Sequence, residues 1–121
     1  MMRYRLSAIA QEDIVDILAW THERFGDLAR KRYETLIVTA LRDIATQPSR
    51  AGSSERSELG GGMRSWHLRL SRDRARVAGG MVHRPRHFLI YRVENDMIVI
   101  GRVLHDAMEL TRHLEGDKSW V

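Results

Sequence analysis

Two runs of strand-forming residues, about 86–93 and 97–104, flank the polar triplet Glu94-Asn95-Asp96. Both runs, RHFLIYRV and MIVIGRVL, carry apolar side chains on odd and even positions alike. Neither has a face to give to water, so both read as central strands that other elements must cover. If they pair across a three-residue loop, Val93 faces Met97. Arg92, Ile90 and Phe88 then share one face with Ile98, Ile100 and Arg102. Leu89, Tyr91 and Val99 fall on the other, where Gly101 leaves room.

The first half of the chain supplies the cover. Tyr4-Arg5-Leu6-Ser7 alternates and reads as a short first strand. From Ala10 the period changes: Ala10, Ile14, Ile17 and Thr21 make one helical face, with Val15, Leu18 and His22 beside it. Gly26 is placed to stop this helix in a left-handed turn, and Asp27 to cap the next. Ala29, Tyr33, Leu36, Ala40 and Ile44, flanked by Ile37, Leu41 and Ala45, form the apolar stripe of a second helix that ends before Pro48. So short a turn makes the two helices an antiparallel hairpin.

Residues 48–62, PSRAGSSERSELGGG, have the composition of a loop. Met63 to Leu70 predicts a strand with Arg64, Trp66, Leu68 and Leu70 on one side and Ser65, His67 and Arg69 opposite. The span 71–85 reads as a connection with a short strand around Val77 or Met81. After the last strand, Asp106 and Glu109 form a capping box for a short helix. Ala107, Leu110, Thr111 and Leu114 give it an apolar stripe, and Gly116 ends it. The whole is an α+β plan in one domain, residues 1–121: an N-terminal strand and a helical hairpin packed on a mostly antiparallel sheet, with a short C-terminal helix.

Length and composition narrow the classes further. A chain of 121 residues builds one core. It has no cysteine, which excludes disulfides and thiolate metal sites. Its start lacks a long uncharged apolar run, so neither a secretory signal nor a membrane span is expected, and a cytoplasmic protein is the default. The net charge of +4 is unevenly placed. Residues 63–92 hold eight arginines against the single acid Asp73, whereas residues 93–121 hold six acids and three bases. One segment carries the positive excess and would attract an acidic partner.

The successive pieces YRLSAIAQEDIVDI, FGDLARKRYETL, Ile44-Ala-Thr-Gln-Pro48, GGGMRSWHL and IYRVENDMIVIGRVLHDAMELTRHL, from about Tyr4 to Leu114, resemble the ParE branch of the RelE/ParE superfamily of type II toxins. The Arg-rich stretch 71–85 departs from that pattern by its length. The resemblance implies a RelE/ParE-like fold and a small toxin neutralised by a cognate, ParD-like antitoxin. ParE-like members inhibit DNA gyrase, and RelE-like members cut messenger RNA on the ribosome. A degenerate member would bind its antitoxin and poison nothing. No cofactor, no membrane association and no direct sequence-specific nucleic-acid binding are implied.

Cleaving RNA through its own 2′-hydroxyl needs a base, an acid and cations. His67, His83, His87 and His105, with Arg64, Arg92 and Arg102, are the available groups. Two features weigh against catalysis: Asp106 follows His105 and would repel a phosphate, and the tail GDKSWV, with one lysine and no tyrosine, lacks the tyrosine or basic cluster that the resemblance implies for members that cut RNA. The reading therefore favours a binding inhibitor, with no catalytic residue assigned. Arg64, Arg92, Arg102 and His105 are candidate target contacts. Three of them also have a structural alternative: Arg102 paired with Asp106 or Glu109, His105 capping the last helix, Arg64 in an ion pair at the sheet edge. Trp66 reads as core. Glu12, Asp13 and Asp16 read as a solvated first turn that suits the helix dipole, not as metal ligands. Helix one is apolar nearly all round, which predicts an exposed groove for an amphipathic antitoxin segment. Val15, Leu18, Trp20, Arg69 and Arg86 are the candidate antitoxin contacts.

Overall fold

A computed structural model describes residues 1–107. The elements run β1 (Arg3–Leu6), α1 (Ala8–Phe25), α2 (Asp27–Thr46), β2 (Ser54–Glu55), β3 (Arg64–His67), β4 (His87–Glu94) and β5 (Met97–His105). Two 3₁₀ turns, Ser57–Leu59 and Leu68–Arg74, flank β3. The sheet order is β1-β5-β4-β3-β2, with β1 parallel to β5 and every other pair antiparallel. The α+β plan is therefore present, on a mixed sheet. The expected last helix lies, beyond Ala107, outside the described residues.

The two helices cover one face of the sheet. The α2 stripe read from the sequence is the buried one: Tyr33, Leu36, Ile37, Ala40, Leu41, Ile44 and Ala45. It packs on Trp66, Leu68, Leu89, Tyr91, Ile98, Ile100 and Val103. Each large aliphatic chain so buried contributes about 2 kcal/mol. On α1 only Ala10 and Thr21 are fully buried, while Ile14, Ile17 and Leu18 pack partly against the core. The other sheet face carries a smaller cluster of Phe88, Ile90 and Leu104.

The β4–β5 hairpin corrects the expected register. Its loop has two residues, not three: Asn95 and Asp96 both adopt positive φ, 50° and 61°, and Glu94 pairs with Met97. That two-residue geometry suits the right-handed twist of the strands. Val93 therefore faces Ile98 and Tyr91 faces Ile100, which moves both isoleucines to the helix-covered face. A bulge then inserts Gly101, so Ile90 pairs with Arg102 and Phe88 with Leu104. Arg102 thus shares a face with Ile90 as expected, because slip and bulge together shift the register by two residues, but it pairs with Ile90 where the three-residue loop would have set it opposite Phe88.

Three further expectations shift. Gly26, at φ 93°, ends α1 and opens α2 by itself. Asp27 lies inside the first turn of α2, where its carboxylate meets Arg30 at 3.2 Å and Lys31 at 3.1 Å. The strand expected over Met63–Leu70 ends at His67, because the chain tightens into the 3₁₀ turn that begins at Leu68. The 71–85 connection holds a tight turn bridging Val77 and Gly80 instead of a strand.

The parallel β1 leaves β5 after Leu6 pairs with Ile100, and the rest of β5 would be an open edge. Two side chains close it. Ser7 caps α1 by accepting from Ala10 N at 3.0 Å, and its hydroxyl donates to the Gly101 carbonyl at 2.8 Å. Asp13 accepts from Val103 N at 2.9 Å and from Arg102 at 2.9 and 3.2 Å. Asp13 is thus not a solvated first-turn acid: it faces the β5 edge and pairs with Arg102.

Two substitutions test these assignments. Asp13→Ala removes the carboxylate facing a mostly buried guanidinium and an N–H, and should cost about 3 kcal/mol in urea unfolding. Asp96→Gly relieves the positive φ at the hairpin and should raise stability by up to about 1 kcal/mol, read as an upward shift in Tm.

Candidate functional site

The hairpin of α1 and α2 opens toward the ends of β4 and β5, and a groove of about 610 Å³ lies there. Its apolar side is built from Ile17, Trp20 and Phe25, facing Met81 and Val82. Trp20 and Phe25 stack edge to face with centroids 5.7 Å apart, and the Arg24 guanidinium lies 5.4 Å from the Trp20 ring. Trp20 is 51% and Phe25 66% exposed, a large apolar area to leave in water.

The far wall is the 75–86 segment, which is fixed by arginines from two sides. Arg32 of α2 donates to the Val77 carbonyl at 3.1 Å and to Ala78 O at 3.5 Å. Arg72 donates to the His83 carbonyl at 2.7 Å. Ala78 and Gly79 both turn with positive φ, and a Cβ on Gly80 would lie 2.5 Å from the Arg32 guanidinium. A glycine there lets the guanidinium lie flat against the turn.

The floor at the polar end is Tyr33, His87 and His105. The Tyr33 hydroxyl accepts from Arg86 N at 3.3 Å and donates to His87 Nδ1 at 2.5 Å. Burial pushes the Tyr33 phenol up to about 12, so it remains a donor. Burial, with His105 adjacent, lowers His87 to about 4, so this imidazole is neutral near pH 7. The His87 and His105 rings meet edge to face at 5.3 Å, as their cross-strand pairing requires. His105 Nδ1 accepts from Ala107 N at 3.1 Å.

Beside this floor, Asp106 joins β3 to β4. It accepts from His67 Nε2 at 3.0 Å and from Arg86 Nε at 3.0 Å, and its own N–H donates to Arg86 O at 2.8 Å. Burial works to raise its carboxyl, but the His67 and Arg86 hydrogen bonds outweigh this and hold it below the usual range. Together with Arg69 and Arg56, His67 and Asp106 line a second, polar hollow of about 240 Å³.

The remaining candidates are scattered. Arg64 donates to Ser53 Oγ at 2.7 Å and Ser53 O at 3.2 Å, and Ser53 in turn bonds the Tyr91 hydroxyl that reaches Pro48 O at 2.6 Å. That network fastens the 48–56 loop to the sheet. Arg92 pairs with Glu94 at 2.7 Å. Val15 is exposed away from the groove, Leu18 packs on the core, and Arg69 lies at the polar hollow. Trp20, Arg86 and His105 are the candidates the fold brings to the groove. Trp66 is core, donating through Nε1 to Ser71 at 2.9 Å. His83 is exposed and contributes its carbonyl to Arg72. Residues 4–110 match the family described as ParE toxin of type II toxin-antitoxin system, parDE.

The chain belongs to the ParE toxin family. The match spans every described element, from β1 to the end of β5. A ParE-family chain is the toxin of a type II toxin–antitoxin system, and such a system includes an antitoxin partner. No curated protein matches it. Among the described residues, no helix is long and apolar enough to cross a membrane, and no cluster of three or more His, Cys, Asp or Glu is placed to hold a metal.

Residue reading alone missed Tyr33 and Arg32 of the groove, and the role of Asp13 at the β5 edge. Tyr33 stood in an apolar stripe and was indistinguishable from core. Arg32 and Asp13 sat among charges on helices, with no local signal of a tertiary partner.

His87 yields a pH prediction. Its folded-state pKa, about 4, lies below the ordinary value of 6.5, so the unfolded chain binds more protons between these limits. The stabilisation is complete above about pH 6.5 and is lost as pH falls toward 4. Thermal melts from pH 7 to 4 should show a falling Tm for the parent. His87→Phe should be less stable at pH 7 and show a flatter acid limb.

Proposed function

We propose that this ParE-family toxin acts by binding DNA gyrase, performs no bond chemistry of its own, and is neutralised by a ParD-like antitoxin in the cytoplasm. The observation that carries the reading is the position of Asp106. Its carboxylate stands between His67 and Arg86 at the end of the sheet, where a nuclease of this plan would need to receive a phosphate. Arg102, the other cation near that end, is turned toward Asp13. The contacts offered to a target are His105 at this end of the sheet and Arg92 toward the β4–β5 turn at the other. The antitoxin is assigned to the hairpin side, where Trp20 and Arg86 line the groove.

One observation favours the runner-up, a ribosome-dependent endoribonuclease. Three imidazoles, His67, His87 and His105, gather at the ends of β3, β4 and β5. His87 is held neutral and hydrogen-bonded through Nδ1, and His67 engages Asp106 through Nε2 and the Arg69 N–H through Nδ1. His105, whose side chain is 39% exposed against 16% for His67, is the residue to test.

Purified protein should inhibit gyrase supercoiling of relaxed plasmid and leave ribosome-bound messenger RNA intact. Untouched supercoiling together with cut RNA would overturn the gyrase reading. In a growth assay, His105→Ala should reduce toxicity about tenfold or less, as loss of one contact does. Abolished toxicity with an unchanged melting temperature would instead point to a general base.

A further inference from the structure

β3 ends, β4 begins and β5 ends at one end of the sheet, where His67 pairs with Phe88 and His87 with His105. The turn that follows β3 and the segment that precedes β4 therefore lie side by side, and Arg72 fastens them by donating to the His83 carbonyl at 2.7 Å. The arginines of these two pieces form a rim. Arg69 lines the polar hollow, and Arg84 and Arg86 line the groove beside it. Asp106 lies between, with Oδ2 on His67 and Oδ1 on Arg86. Arg69 and Arg84 are exposed, and their side chains make no hydrogen bond or ion pair to any described residue.

We propose that this rim is a backbone interface for duplex DNA, with Arg69 and Arg84 each taking a phosphate, one on either side of Asp106. The inference rests on the gyrase reading above for the reason that the toxin meets DNA, and it adds a contact to the nucleic acid itself.

The surroundings of these arginines select the partner. A protein interface is anchored by apolar or aromatic side chains at its centre. The apolar neighbours of Arg69 and Arg84 along the chain, Leu68, Leu70 and Pro85, are buried or half-buried and offer no such anchor. Single-stranded RNA needs free ring faces on which its bases stack. Trp20 and Phe25 are on α1, across the groove, and Arg24 already lies against the indole. What remains is charge, and a guanidinium fork fits a phosphate through two parallel hydrogen bonds. Asp106 opposes this little, because both of its oxygens already accept from His67 and Arg86. Arg72 is occupied by His83 and lies 4.0 Å from Asp73, so it is not counted among the phosphate contacts.

Fluorescence anisotropy of a labelled random-sequence duplex, titrated with the full-length chain, tests this. Two phosphate contacts should give a Kd of about 10–100 µM at about 50 mM salt, and log affinity should fall against log salt with a slope of about −2. Arg69→Ala and Arg84→Ala should each weaken binding several-fold and flatten the slope by about one, with unchanged melting temperatures. Arg5→Ala, exposed on the edge strand β1, should leave both quantities as they are. No binding at low salt, a slope indifferent to Arg69→Ala and Arg84→Ala, or an equal loss with Arg5→Ala would overturn the proposal. So would tighter binding of single-stranded RNA of the same length, since bases and not a duplex backbone would then be read. The supercoiling assay separates the two readings. Duplex binding by a chain that leaves supercoiling untouched supports the interface and sinks the gyrase reading alone, whereas inhibition by a chain that binds no duplex sinks the interface alone.

Discussion

The fold depends on how the outer half of β5 is closed. β1 is parallel and short, so it satisfies β5 only as far as Ile100. Past that point the Gly101 carbonyl and the Val103 N–H would face water or be buried without partners, a cost of a few kcal/mol in the second case. Ser7, at the cap of α1, and Asp13, in its first half, supply the missing donor and acceptor respectively. They also seat α1 on the sheet. Because Gly26 joins α1 directly to α2, the placement of the second helix, and of Tyr33 and Arg32 on it, follows from that seam.

The charge distribution looks different once the chain is folded. The arginine excess of residues 63–92 suggests an open cationic face, yet most of those guanidinium groups have internal work. Arg74 meets Asp43, which is also approached by Arg50 from outside the segment and accepts from Ser71 at 2.6 Å. Arg86 holds Asp106, Arg64 holds the 48–56 loop, and Arg72 holds the groove wall. Arg69, Arg76 and Arg84 make no such bond to described residues. The attraction for an acidic partner is thus confined to a few positions, Arg69 and Arg84 among them.

How far residues alone could go is clearest at two places. The α2 stripe was legible in full, because a 3.6-residue period reports burial directly. The β4–β5 hairpin was legible as a hairpin but not in register. Asn-Asp in a left-handed turn and a glycine bulge are both compatible with the same apolar runs, and a one-residue difference moves Ile98 and Ile100 to the opposite face. The site was legible in parts. Trp20, Arg86 and His105 were singled out for different roles, and the fold puts them around one groove. Arg32, Tyr33 and Asp13 could not be found, since each acts through a partner between 45 and 90 residues away in the chain.

By itself the amino-acid sequence determined the two helices, the strands β1, β4 and β5, the α+β class and the resemblance to ParE toxins, because periodicity, turn chemistry and ordered motifs are local properties. Only the tertiary structure decided which carboxylate meets Arg102, that His87 is neutral, and that an arginine from α2 builds the second wall of the groove. Those outcomes depend on distances between segments remote in the chain. Hydrogen bonding and desolvation act over a few ångströms in space, whatever the separation in sequence.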